Sequence, residues 1–422
     1  MRVTRAFRFE LSPNEGQKGA LVQHVGAARF AYNWGLERCK KALEEGKKLF
    51  SAPELHREWN RWKRENAPCW SEVCKCAPQE AFRDLKKALQ NWKAKRARFP
   101  RFKCKKAQAD NTARLTGSIR VFPCHVQLPR MGKVRSKEPT EKLLRLLQEG
   151  RGKIFSATVS WEADRWYVSL TCEVERPEPE KKEVKRPEDV VGVDLGLFSF
   201  VVLSDGTQIE APRPLARRLR LFKRRSKQLS RKEKGSNNGK KAALRLARLH
   251  RKIKSTRLDF LHKLSTWLAR TKPVIVVEDL NVRGLSRGWL SRSVADVGWG
   301  AFRRMLVYKA GWYGAVLIVV PRSFPSTRLC FRCGHLHGRM PLSERVFRCE
   351  ACSLETDQDL KVALNLRAYG LAHLTGSTGS SPGSHACGDF FGDGTAYPGW
   401  STSYGSLKQE VARHHHPSGM VK

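Results

Sequence analysis

Val190-Val191-Gly192-Val193-Asp194-Leu195-Gly196 and Val274-Ile275-Val276-Val277-Glu278-Asp279-Leu280 are the two stretches whose reading decides the fold. Each is an apolar, β-branched run of the kind that forms a strand buried on both faces, and each runs into acids. Phe198, Phe200, Val201 and Val202 give a second strand behind the first, and long basic helices follow before the next one. Strand, hairpin, helices, strand is an α/β pattern. A carboxylate directly behind a buried strand is costly unless it is paired or holds a metal. A third acid comes from Asp357-Gln358-Asp359, which precedes the apolar helical face of Ala363, Leu364 and Leu366. Acids on two strands and a helix can hold two Mg²⁺ ions about 3.5–4 Å apart for in-line attack on a phosphodiester. Taken singly, each is a strand-end acid that satisfies turn amides.

Working outward, the chain has 422 residues, and 81 Lys+Arg against 40 Asp+Glu leave a formal charge of +41. Such a charge repels itself unless a polyanion is the usual partner, so a freely diffusing metabolic enzyme is excluded. No apolar run is long enough to span a bilayer and no leader precedes the first strand, so the expectation is a cytoplasmic protein with no membrane contact. The 12 cysteines are unevenly spaced and do not read as a disulfide scaffold. Between residues 214 and 257 there are 18 Lys/Arg and one acid, Glu233, and Leu244, Leu249, Ile253 and Leu258 form the apolar side. That stretch, with Lys223, Arg224, Arg225, Arg231, Lys232, Lys234, Arg251 and Lys252, is expected to contact phosphates. From 371 onward a balanced, Gly/Ser-rich tail reads as disordered, and His414, His415 and His416 as part of it.

The N-terminal half divides by period. Val3, Phe7 and Phe9 read as a strand, and Ser12-Pro13-Asn14-Glu15 as a helix start with Ser12 as the cap. Leu21, Val25, Ala28, Tyr32, Leu36, Cys39 and Leu43 then form one helical stripe, and Phe82, Leu85, Leu89 and Trp92 another. Val121, Cys124 and Val126, then Phe155 to Val174 with a turn near 162–165, read as strands. Residues 175–188 read as a linker.

The densest metal signal is Cys330-Phe-Arg-Cys333, fifteen residues, then Cys349-Glu-Ala-Cys352. Two thiolate pairs at this spacing close a tetrahedron around one Zn²⁺, which four sulfurs leave with no open position, so the metal is structural. His335 and His337 lie inside this unit and read as surface histidines. Cys69, Cys74 and Cys76 read as ordinary thiols.

The order Gly192-Val-Asp-Leu-Gly196, Leu229-Ser-Arg-Lys232, Val276-Val-Glu-Asp-Leu-Asn-Val282, Trp299-Gly-Ala-Phe302 through Tyr308-Lys-Ala310, the four cysteines and a final Asp357-Gln-Asp359 resembles TnpB, the transposon-associated RNA-guided DNA nuclease family related to type V CRISPR effectors. Arg29-Phe-Ala-Tyr-Asn33 and Phe99-Pro-Arg-Phe-Lys103 extend the resemblance to the N-terminal half. It implies a mixed α/β multidomain chain: an RNase H-like RuvC nuclease (189–324 and 354–370) with a zinc ribbon inserted (325–353), preceded by a β-rich wedge (1–11 and 119–180) holding a helical recognition lobe (12–118). It further implies Asp194, Glu278 and Asp359 as the Mg²⁺-binding triad, with Asp359 chosen over Asp357 on the family match alone. A guide RNA and double-stranded target DNA are the implied partners, with base pairing supplying specificity. Gln79 and Arg83 fall on the helix near which the family reads a short target-adjacent motif.

One departure stands out: where the family continues with Asn and two small residues, this chain has Lys361 and Val362 at the first two of those positions. Lys361 is expected to pair with a phosphate or to displace a metal-stabilising contact. Trp299 and Phe302 are readable equally as surfaces for stacking bases and as core. The alternatives are a guide-free RNase H-fold transposase and a binding-only regulator, the latter disfavoured by the intact acids. The guide's origin and the number of copies per RNA stay open.

Overall fold

A computed structural model describes residues 1–66, 70, 72–105, 110–338, 340–341 and 344–375. Cys69, and the tail from 376 with His414–His416, therefore lie outside the described residues. The described residues form two compact units, 1–178 and 179–375.

In the first unit, β1 (Arg2–Ser12) leads into α1 (Glu15–Glu44), α2 (Ala52–Asn66) and α3 (Cys76–Lys93). Strands β2 (Thr112–Leu115), β3 (Arg120–Phe122), β4 (His125–Leu128) and β5 (Gly132–Ser136), helix α4 (Glu141–Gln148) and the hairpin β6 (Gly152–Glu162) and β7 (Arg165–Glu175) complete it. Seven strands make one sheet in the order β2-β6-β7-β1-β5-β4-β3. The expected hairpin is there, with Trp161 opposite Trp166, but the sheet reaches back to Thr112, earlier than the strand pattern showed. The start of α1 also differs from the reading. Ser12 stays in β1, opposite Arg135, and Asn14 caps instead: its Oδ1 accepts from the Gln17 N–H at 2.9 Å while Gln17 Oε1 accepts from the Asn14 N–H at 3.2 Å. The sheet claimed Ser12, and an equally good cap stood two residues on. The two N-terminal motifs interlock: Asn33 Nδ2 donates to the Lys103 carbonyl at 2.9 Å and Asn33 Oδ1 accepts from the Lys103 N–H at 2.7 Å.

The second unit holds β8 (Val190–Asp194), β9 (Ser199–Leu203) and β10 (Gln208–Glu210), then α5 (Pro214–Arg217), α6 (Leu219–Ser230) and the 35-residue α7 (Asn237–Thr271). Then come β11 (Val274–Glu278), α8 (Val282–Leu285), α9 (Ser291–Val297), α10 (Trp299–Tyr313) and β12 (Val316–Val320). The small hairpin β13 (Val346–Arg348) and β14 (Glu355–Asp357) precedes α11 (Gln358–Thr375). The sheet runs β10-β9-β8-β11-β12, with β8, β11 and β12 parallel and β9 and β10 antiparallel. Helix α11 continues to Thr375, past the expected start of the tail.

Both faces of this sheet are covered, as the unbroken apolar strands require. Val191, Val193, Ile275 and Val277 pack with α7 and α10, while Val190, Val274 and Val276 pack with Val362 and Leu366 of α11. Trp299 and Phe302 belong to that first core, 6% and 0% exposed, with Phe302 edge-on to Phe200 at 5.1 Å. Their aromatic rings are core, and no base can stack on them. Lys309, deep under α10, donates to the His262 carbonyl and to the Ser265 and Thr266 hydroxyls, which ties α10 to α7.

Helix α11 crosses β8 where Gly192 stands, so closely that a Cβ there would meet the Ala363 carbonyl oxygen at 1.9 Å. At its far end a Cβ on Gly370 would meet Val276 at 2.4 Å. These two glycines let the helix lie on the strands, and that contact carries Asp359 to the ends of β8 and β11.

Candidate active site and zinc cluster

Asp194 closes β8 and Glu278 closes β11. The residues before them, Val193 and Val277, are partners in the parallel ladder, so both acids leave the sheet at the same carboxyl edge. That edge is where open α/β sheets place their ligand sites. Asp359 joins them from the first turn of α11.

Burial disfavours the charged form of all three acids. Burial pushes the Asp194 carboxyl well above its ordinary range, and the charges of Glu278, Asp359 and Asp357 push it further. Burial also raises Glu278, opposed only by a hydrogen bond from the Ser326 hydroxyl. Burial raises Asp359 as well, although the Arg345 guanidinium at 3.5 Å works against it. Side chains of the protein thus leave excess negative charge at the strand ends, which is the environment a divalent cation completes. The residues fit a metal.

The neighbouring acids are used differently. Asp279 takes ion pairs from Arg303 and, at 2.9 Å, from Arg322. Burial would raise it, but these two arginines hold it below the usual carboxylate range. Asp357 is exposed and its Oδ1 accepts from the Leu360 N–H at 2.9 Å, which makes it a cap for α11. Buried Asp296, on α9, accepts from the Leu215 and Ala216 amides and pairs with Arg257 at 3.2 Å. Ser326 was invisible in the sequence, because nothing in its neighbours places it opposite Glu278.

In the cysteine module the four sulfurs of Cys330, Cys333, Cys349 and Cys352 lie within 4.8 Å of one another, with 3.8 Å from Cys330 to Cys352 and 3.5 Å from Cys333 to Cys349. Thiolates at tetrahedral corners about 2.3 Å from a zinc ion stand about 3.8 Å apart, so the cluster suits Zn²⁺. His337 departs from the expected surface position. It is buried, its Nε2 lies 3.4 Å from Cys349 Sγ, and its ring stands edge-on to Phe347. It therefore supports a ligand as an outer partner. His335 is exposed, as expected.

Among the expected nucleic-acid contacts, Lys223, Arg224, Arg231, Lys232, Lys234 and Lys252 are exposed on α6, the α6–α7 connection and α7, and Arg251 is half-buried. Arg225 is half-buried and donates to the Arg245 carbonyl at 2.9 Å, pinning α6 to α7. Gln79 is half-buried in the first turn of α3, and Arg83 one turn on is paired with buried Glu80. Cys74 and Cys76 are not independent thiols: their sulfurs are 2.6 Å apart.

An α/β sheet with a carboxylate cluster of raised pKa at its strand ends, followed by a four-thiol module, defines a class of site whose residues suit metal ions. Comparison with known proteins narrows it. A family profile described as "Probable transposase" matches residues 169–288, and one described as "Cas12f1-like, TNB domain" matches 299–366. A profile described as "Helix-turn-helix domain" matches 1–48, which here form β1 and the 30-residue helix α1. A protein of Streptomyces pristinaespiralis named "Putative RNA-guided DNA endonuclease" is 36% identical over 417 residues, 98% of this chain and 97% of its own. "Putative RNA-guided DNA endonuclease InsQ" of Escherichia coli K12 is 32% identical over 397 residues, 89% of this chain and 94% of its own. A solved structure, "Cryo-EM structure of CRISPR-Cas12f Ternary Complex", matches with 16% identity and a TM-score of 0.36 over 84% of this chain and 82% of that one. The chain belongs to the TnpB family of RNA-guided DNA endonucleases.

Proposed function

We propose that this chain cuts DNA at sites chosen by a guide RNA, using Asp194, Glu278 and Asp359 as its single nuclease site. The observation that carries the reading is the convergence of three acids of raised pKa at the carboxyl edge of one sheet, in a chain of charge +41. The parallel and antiparallel order of that sheet, crossed by α11, supports an RNase H-like RuvC nuclease made of 189–324 and 354–370 with a zinc ribbon at 325–353. The seven-stranded sheet of the first unit supports a wedge for guide RNA, and α1–α3 a recognition lobe.

Two Mg²⁺ ions, when bound, supply an activated water and neutralise charge on the phosphate under attack. The chain's own residues do the rest. Asp194 and Glu278 are held in place by the ladder beneath them, and Ser326 fixes the rotamer of Glu278 through its hydrogen bond. Arg345, whose guanidinium reaches Asp359 and also lies 5.5 Å from the ring centroid of exposed Phe198, offers a positive group at the rim for a phosphate. The exposed Lys and Arg of α6 and α7 follow a nucleic-acid backbone without reading its bases. The protein works in the cytoplasm, reaching the nucleoid with its RNA.

Purifying the chain from cells that express it with its flanking DNA, sequencing the bound RNA and offering a plasmid matched to that RNA tests the reading. A defined RNA species and RNA-dependent cutting are expected. DNA cutting by RNA-free protein would instead favour the guide-free transposase, and RNA-directed binding without cutting the regulator.

A further inference from the structure

Lys361 lies two residues beyond Asp359, yet its side chain turns away from the acids. It is fully buried, at 0% exposure, so no phosphate from solvent reaches it. Its Nζ donates to the Thr327 carbonyl at 2.6 Å and sits 3.8 Å from the ring centroid of Phe347, the central apolar residue of the cysteine module. Neither contact is with an anion, and Phe347, on whose ring the ammonium rests, packs in one cluster with Cys330 and Cys349, so the thiols are the acidic groups of that cluster. A buried ammonium requires a counter-charge. Four thiolates around one Zn²⁺ carry a net charge of about −2, which is one.

The same helix grips the chain segment that leads into Cys330. Gln358 Nε2 donates to the Thr327 carbonyl at 3.2 Å, and Asn365 Nδ2 donates to the Ser326 and Leu329 carbonyls at 2.8 and 2.7 Å. The Gln358 N–H reaches the Arg345 carbonyl at 2.8 Å. Ser326 in turn donates to Glu278, and Arg345 pairs with Asp359. Segment 326–329 is therefore attached at one point to a sheet acid, at several to the helix that bears the third acid, and in sequence to the first zinc ligand.

We propose that Lys361 is a positioning residue that couples the zinc cluster to the carboxylate site. Its ammonium is the counter-charge of the tetrathiolate, and it pegs segment 326–329, and with it Glu278, against the helix carrying Asp359. The zinc module is thereby a structural part of the nuclease site. The consequence for cleavage rests on the proposed function; the coupling between zinc and helix does not.

The test uses the full chain with its RNA, comparing wild type, Lys361→Met, which keeps length without charge, and Lys361→Arg, which keeps charge. Zinc transfer to a competing chelator is read alongside the Mg²⁺ dependence of cleavage. Lys361→Met is expected to weaken zinc retention on the order of 10- to 100-fold, the usual cost of losing an outer partner, and to demand more Mg²⁺ for the same rate. Lys361→Arg is expected to restore most of the zinc retention. Wild-type zinc retention in Lys361→Met, or equal loss in both variants at matched thermal stability, would overturn the proposal. If Lys361→Met does not fold, hydrogen exchange of the wild type decides. Chelation should expose the amides of 326–329 and of the first turns of α11 together with the cysteine module, and protection that persists in α11 would overturn the coupling. Zinc retention and exchange are read without cleavage, so a wild type that never cuts DNA would refute the nuclease reading alone.

Discussion

Each unit buries acids at its sheet, and the two units treat them in opposite ways. In the first, Glu10 of β1 is 7% exposed, and burial by itself would raise its pKa. Lys137 and Arg165, each at 2.6 Å, outweigh burial and hold it below the ordinary range. In the second, Asp194 meets further carboxylates where Glu10 meets cations, and its pKa rises. The contrast repeats within one dipeptide, since Asp279 is clamped by two arginines while Glu278 receives one hydroxyl. An acid the fold has neutralised is structural, and one whose pKa burial or neighbouring charge raises marks a candidate cation site.

Replacing acids on each side of the contrast should separate the two kinds. Asp359→Asn is expected to lower guided cleavage by about 10²–10³-fold, the scale for removing a positioned electrostatic group. Asp357→Asn, which touches the helix cap, should change it by only a few fold, and equal losses would dissolve the distinction between the two. Gly192→Ala should be next: the added Cβ collides with backbone of α11, so about 1–3 kcal/mol of stability is lost and Asp359 is displaced. Urea unfolding and cleavage by the folded fraction both report it.

The smaller effects concern stability. Because Asp194, Glu278 and Asp359 have raised pKa values, the folded state binds more protons than the unfolded chain between their ordinary and raised values. Stability without divalent cations therefore falls as pH rises through that window. Asp194→Asn should remove part of this and raise the cation-free Tm by about 2–4 °C near neutral pH, and a lower Tm would count against the repulsion. Glu10→Gln should do the reverse, costing about 1 kcal/mol because Lys137 and Arg165 are half-exposed, with cleavage per folded molecule unchanged.

What the chain reveals in one dimension follows the same division. The strands behind Asp194 and Glu278 were legible because a two-sided burial leaves an unbroken apolar run, and the four-cysteine cluster because two local pairs fix the geometry. Asp359 was legible beside its helix, but only the folded chain shows Asp357 capping that helix. Ser326 opposite Glu278, Arg345 beside Asp359 and the burial of Lys361 were not legible. Each depends on segments far apart in the chain meeting in space, and no local period records such a meeting. Trp299 and Phe302 were ambiguous for a related reason, since helical spacing states that a face is apolar without stating what covers it.

The most direct measurement is the rate of guided plasmid cleavage by wild type and Asp194→Asn across a full Mg²⁺ titration, with zinc content and RNA occupancy matched. The wild type is expected to cut with saturating Mg²⁺ dependence while Asp194→Asn stays at least about 10²-fold slower at every concentration. Equal plateau rates would show that the carboxylates at the strand ends are not where the DNA is cut.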